Sequence, residues 1–214
     1  MIKRPFVTLF LALTAALALP QTAPLDVNVD VQKVDSDDPT LPLAAETSEC
    51  PEIVPGPGLP SLASLNLTSA DLCKSPEEFR ATFLGESELA DAEPKKLVKR
   101  YTPWCNSVST RLSVDKAHGC YNYLYALGST TCHVPPTGSR FCHSASGSKD
   151  VAWYGTSGNG WSTQSTCREV AMGGQWVLDN CEVYIMAPLM MLYLNEGANA
   201  AWDNENLIVR IGPY

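Results

Sequence analysis

The sequence predicts an α+β fold: a small disulfide-bonded two-layer sandwich, two helices on a mainly antiparallel sheet, preceded by a largely disordered propeptide. Three observations predict it. Val114 to Leu127 and about Ser165 to Asn180 carry apolar residues at steps of three and four, the period of a helix with one buried face. Short alternating stretches bounded by Gly and Pro surround these segments, as strands joined by turns do. Cysteines punctuate both kinds of segment, which suits a small core that needs covalent support.

The chain begins with a segment of export type, 1–18. Lys3 and Arg4 form a positive start, Phe6 to Ala15 an apolar run too short to span a bilayer, and Ala16-Leu17-Ala18 a small-residue exit. The protein is therefore expected to be secreted and extracellular. Leu19 to about Pro60 has no usable periodicity and many Pro, Asp and Val residues, so it is expected to be mostly disordered. Asn66-Leu67-Thr68 is a glycosylation acceptor at Asn66. Ser75-Pro76-Glu77-Glu78 starts a short helix, with Ser75 as cap and Phe79, Phe83 and Leu84 on its apolar face. Cys50 and Cys73 are expected to staple this segment, which serves either as a spacer or as an intramolecular chaperone. Leu97-Val98-Lys99-Arg100 then offers two adjacent cations to the acidic pockets of a kexin-type secretory protease. Cleavage after Arg100 divides 19–100, an acidic propeptide, from a mature domain of residues 101–214.

After Tyr101, Asn106 to Leu112 reads as a strand. Ser113 caps a helix from Val114 to Leu127, which Gly128 ends. Thr131 to Val134 and Ser139 to His143 are short strands around Pro135-Pro136-Thr137-Gly138. Asp150 to Tyr154 is a further strand, followed by a glycine loop, Gly155 to Gly160. The second helix has its stripe at Cys167, Val170, Ala171, Gly174, Val177, Leu178 and Cys181. Gly173-Gly174 costs about 1 kcal/mol per glycine against alanine, which close approach of the first helix or the sheet compensates. Val183 to Ala187 reads as a buried strand or apolar turn, and Asn206 to Ile211 as the closing strand.

The cysteines divide into Cys50 and Cys73 before the dibasic pair, and Cys105, Cys120, Cys132, Cys142, Cys167 and Cys181 after it. Both groups are even, so each can pair within itself, and sequence alone does not choose among the pairings. Charge divides as unevenly. Residues 19–100 hold 15 acids against 7 bases, and residues 101–214 hold 8 against 6. The mature part lacks the basic footprint of a nucleic-acid binder, and nothing pulls it to an anionic membrane; no stable membrane insertion is expected.

The run Cys142, Gly147, Trp153-Tyr154-Gly155, Cys167-Arg168-Glu169-Val170-Ala171, Trp176 to Cys181, and Gly197 to Ile211 ending in Asn204-Glu205-Asn206-Leu207-Ile208-Val209-Arg210-Ile211 resembles a pattern in fungal secreted cysteine-rich proteins. It is similar to the necrosis-inducing effector domains and the smut-type virally encoded killer toxins. The resemblance covers about Trp104 to Ile211. It implies an α/β sandwich with two helices and a disulfide-bonded sheet, secretion, and an effector or toxin role in virulence or competition.

His118, His133 and His143 each lie at or beside a cysteine, the residue types of a zinc site, but oxidation consumes the thiolates such a site needs. No metal and no cofactor is expected. His133, His143, Glu169 and Arg168 supply the residue types of a small secreted ribonuclease without a motif that fixes their geometry. No G-x-S-x-G, H-E-x-x-H or phosphate loop occurs, so the chain is read as a non-enzyme. The aromatics Trp153, Tyr154, Trp161 and Trp176 either fill a small core or form a contact patch. The favoured reading is an effector or toxin-like protein that binds a host or competitor protein or a cell-wall glycan. The alternatives are a ribonuclease-like hydrolase and a polysaccharide binder using Trp153, Trp161 and Trp176.

Overall fold

The structure is a computed structural model that describes residues 50–84, 101–108, 110–145, 150–186 and 191–214. The export segment, the arm before Cys50 and the Lys99-Arg100 pair lie outside the described residues. Thr47 to Tyr214 forms one compact unit.

The elements are β1 (Glu52–Pro55), α1 (Pro76–Leu84), β2 (Trp104–Cys105), α2 (Val114–Ala126), β3 (Thr131–Val134), β4 (Ser139–Ala145) and β5 (Val151–Ser157), then β6 (Thr163–Thr166), α3 (Cys167–Asn180), β7 (Glu182–Ile185), β8 (Met191–Leu194), β9 (Gly197–Ala201) and β10 (Asn204–Pro213). Six strands form one sheet in the order β1-β4-β5-β10-β9-β2, with every pair antiparallel. β3 pairs with β6, and β7 with β8, as two smaller ribbons. Helices α2 and α3 pack on each other and on one face of the large sheet, giving the two-layer α+β sandwich.

Both long helices start where local chemistry provides a cap. The Ser113 hydroxyl accepts from the Lys116 amide at the start of α2. Thr166 caps α3 in a full capping box with Glu169, one residue later than the start expected at Ser165. The glycine pair of α3 does mark a close approach, and it is to the sheet. A Cβ on Gly173 would lie 2.4 Å from the Ala200 carbonyl oxygen, and one on Gly174 would lie 2.1 Å from the Trp153 ring.

The arm departs from expectation within the described residues. Instead of disorder up to Pro60, Glu52–Pro55 adds an edge strand to β4. Ile53, Leu72 and Phe79 are buried in the same core as α2 and α3. The reason is complementarity on α2. The Asn122 side-chain amide donates to the Leu72 and Lys74 carbonyls at 2.9 Å each, and the Tyr123 hydroxyl donates to the Pro60 carbonyl at 2.6 Å. Gly119 leaves room for Ile53, whose side chain would meet a Cβ there at 2.5 Å. The third helix, α1, therefore belongs to the fold.

Two further expectations are corrected. Among the described residues from Asn106 to Leu112 none lies in a strand: the strand is Trp104–Cys105, and Leu112 makes an isolated bridge to Leu194. The stretch expected as a buried strand or apolar turn from Val183 holds a strand, β7, but it is not fully buried: β7 pairs with β8 in a ribbon in which Val183 and Ile185 are half-buried and Tyr184 is exposed. All four disulfides respect the expected grouping: Cys50–Cys73 in the arm, and Cys105–Cys181, Cys120–Cys142 and Cys132–Cys167 after it. Cys105–Cys181 and Cys120–Cys142 lock α3 and α2 to the large sheet, and Cys132–Cys167 ties the start of α3 to the β3 ribbon. Among the described residues, no helix is long and apolar enough to cross a membrane.

Candidate functional site

Alternation along β5 sends neighbouring aromatics to opposite faces of the sheet. Trp153 turns towards the helices and is fully buried, 6.4 Å from the Tyr121 ring. Tyr154 turns the other way and is half-buried, with the Arg210 guanidinium 5.4 Å from its ring and its hydroxyl donating to the Pro213 carbonyl at 3.1 Å. Arg210 is itself held by Glu196. Register places Arg140 of β4 beside Tyr154. The Arg140 guanidinium lies 4.9 Å over the Tyr214 ring, and His143 stacks on that ring at 3.9 Å. Burial, then the Arg140 charge, holds the His143 imidazole below its ordinary pKa, against the pull of Asp150 and Glu52. The result is a row of arginines and aromatic rings across β4, β5 and β10.

Beyond β5 the chain turns through Gly158 to Gly160 and presents Trp161, whose residue is 75% exposed. The turn is fixed from within. The Asn159 carboxamide oxygen accepts from the Trp161 backbone amide at 3.0 Å and from the Ser157 hydroxyl at 2.8 Å. Trp161 is thus an aromatic ring displayed on an ordered support.

Two clefts flank β3. One, of about 530 Å³, lies between Pro57–Leu59 of the arm and the β3–β4 turn, and His133 and Arg140 line it. The other, of about 350 Å³, lies at the start of α3 and is lined by Gln164, Ser165, Glu169, Asp203 and Asn204. Burial alone would raise the Glu169 pKa, but hydrogen bonds from the Ser165 hydroxyl and the Thr166 amide outweigh it and keep the carboxyl below its ordinary range. Glu169 is therefore occupied as the capping carboxylate.

A family described as a domain of unknown function, DUF8794, matches residues 100–212. The chain belongs to this family. No curated protein matches the chain. No solved structure matches it either. The DUF8794 stretch begins at Arg100 and runs through β2 to β10, leaving β1 and α1 outside the match.

Within the DUF8794 stretch the sequence-predicted residues fall into distinct places. Of the four aromatic candidates, only Trp161 is largely exposed; Trp153 is core, Tyr154 is half-buried, and Trp176 is half-buried against the core edge. The ribonuclease types are dispersed. His133 lines the first cleft and Glu169 the second, His143 stacks under Tyr214, and Arg168 lies 5.1 Å from the Tyr125 ring. Asn66 of the arm is exposed, at the end of a short 3-10 turn. Sequence reasoning missed Arg140 and Tyr214, because their contacts join β4 to the end of β10. It also missed β8 and its pairing with β7, whose one signal was an apolar run without charge.

Proposed function

We propose that this chain is a secreted fungal effector or toxin-like protein, released from its propeptide by kexin-type cleavage after Arg100, that acts by binding a host or competitor target. The observation that carries the reading is Trp161: a largely exposed indole on a turn held by Asn159, the form of a rigid aromatic anchor. The four disulfides supply a frame suited to an extracellular setting, where such bonds persist. The chain is read as a non-enzyme, because Glu169 is engaged in capping α3 and does not line the cleft that holds His133.

The test is Trp161→Ala in the secreted protein, applied to plant tissue and to competing yeast. The thermal midpoint is expected to stay within about a degree, since an exposed ring contributes little to stability. The biological response is expected to fall to background. A full response from the variant would remove the reading. Loss of binding to isolated cell-wall polysaccharide by the same variant would identify the target as glycan rather than protein.

A further inference from the structure

The turn that carries Trp161 contains Asn159-Gly160, the one Asn-Gly pair in the sequence. Residues 158–162 are all exposed. Two donors converge on the Asn159 carboxamide oxygen: the Trp161 backbone amide at 3.0 Å and the Ser157 hydroxyl at 2.8 Å. A backbone amide can only donate, so the atom facing it is Oδ1, which leaves Nδ2 as the group that can depart. The ring closed by the Trp161 contact spans Gly160, so it folds Cγ of Asn159 back over the Gly160 peptide unit. Gly160 itself, at a φ of +78°, stands in open space: even an added Cβ would meet nothing within 4 Å.

We infer that Asn159 is a self-modifying site, which converts spontaneously to aspartate and isoaspartate through a succinimide formed with Gly160. The Gly160 backbone nitrogen attacks Cγ of Asn159. The new N–Cγ bond closes the ring, the Cγ–Nδ2 bond breaks, and the proton of the attacking nitrogen leaves with the amide group as ammonia. Water then adds to a ring carbonyl. Opening at the new N–Cγ bond gives aspartate, and opening at the original peptide bond gives isoaspartate. The turn favours the attack. Negative charge builds on Oδ1 as the nitrogen adds, and the Trp161 amide and Ser157 hydroxyl already point at that atom, as the donors of an oxyanion hole do. Glycine brings no side chain to obstruct ring closure. Asn106 supplies a comparison within the chain. Its Oδ1 also accepts from the backbone amide two residues on, that of Val108 at 3.0 Å. The residue after it is Ser107, however, and among the described residues no second donor reaches its oxygen. In isoaspartate the former side-chain carbonyl becomes main chain, so the turn loses the acceptor that holds Trp161. The residue that supports the ring thereby also limits how long it is displayed.

That consequence rests on the Trp161 reading, whereas the conversion itself does not. The full secreted protein is incubated in neutral buffer, digested and mapped by mass spectrometry, with isoaspartate scored by an isoaspartyl methyltransferase. Asn159 is expected to convert ahead of every other asparagine, Asn106 included. Ser157→Ala removes one donor and is expected to slow the conversion about fivefold, the worth of one net hydrogen bond. The isoaspartate form, separated by ion exchange, is expected to keep its thermal midpoint and to lose the biological response. An asparagine that converts ahead of Asn159 would overturn the inference, and so would an unchanged rate in Ser157→Ala. A full response from the isoaspartate form would overturn the limit on display. If Trp161→Ala kept its response as well, the failure would lie in the Trp161 reading.

Discussion

A methyl group added at Gly174 would lie 2.1 Å from the Trp153 ring, which has nowhere to retreat because it is fully buried. Helix propensity favours alanine over glycine by about 1 kcal/mol. Overpacking of a filled core costs about 1–3 kcal/mol, and here the clash is with a rigid ring. Gly174→Ala is therefore expected to lower stability by about 2 kcal/mol in urea titration; a higher midpoint would show that the ring yields. His118 provides a second test at this scale. Burial first, against Asp115 and Glu77, depresses its pKa from the ordinary 6.5. The unfolded chain then takes up the proton before the folded one does. Stability is fully present above 6.5 and is lost as pH falls through the lower folded value. His143 acts in the same sense. The carboxyls of Asp179 and Glu182, raised by partial desolvation, act in the opposite sense from 3.8 and 4.5 upward. Comparing His118→Gln with wild type at each pH cancels those contributions. The variant should lose less stability than wild type between about pH 7.5 and about pH 5.5.

At the scale of elements, α3 depends on its first turn. The Thr166 hydroxyl accepts from the Glu169 amide at 3.2 Å, and the Glu169 carboxylate accepts from the Thr166 amide at 3.0 Å. Thr166→Ala removes one arm of this exchange and is expected to cost about 1 kcal/mol in thermal unfolding. An unchanged midpoint would mean that Ser165, which also donates to Glu169, takes over the cap. Elements with a strong local signal were legible in the sequence. α2 and α3 showed a buried stripe, and β3, β4, β5 and β10 showed alternation between turn residues. β9 was not legible, because Gly197-Ala198-Asn199-Ala200-Ala201 has no bulky alternation. Its residues are small because α3 approaches at Gly173. β1 was not legible either: Glu52–Pro55 is short, lies among prolines, and takes its meaning from β4 far along the chain. The site divides the same way. Trp161 stood out beside its glycine loop, whereas the stack of Arg140, His143 and Tyr214 exists only once β4 and the end of β10 are neighbours.

At the scale of the whole molecule, the arm of residues 50–84 and the DUF8794 stretch share one core, yet none of the four disulfides joins them. Cleavage after Arg100 is expected to leave two chains that elute together in native gel filtration. N-terminal sequencing should find Tyr101 as one start. Urea without reductant should separate the chains. A secreted protein in which Cys50 and Tyr101 remain in one chain would refute the cleavage, and a cleaved protein that elutes without the arm would refute the retention.

The lack of a covalent bridge across residue 100 makes the molecule sensitive to dilution once cut. While the chain is continuous, the connection holds the arm at an effective concentration on the order of millimolar. Afterwards, occupancy follows mass action against a dissociation constant. Wherever dilution takes the cut protein below that constant, the arm departs, and the β4 edge, the Asn122 amide and the Gly119 recess open together. Cleavage after Arg100, where it occurs, would thereby start a clock whose rate is the arm's off-rate.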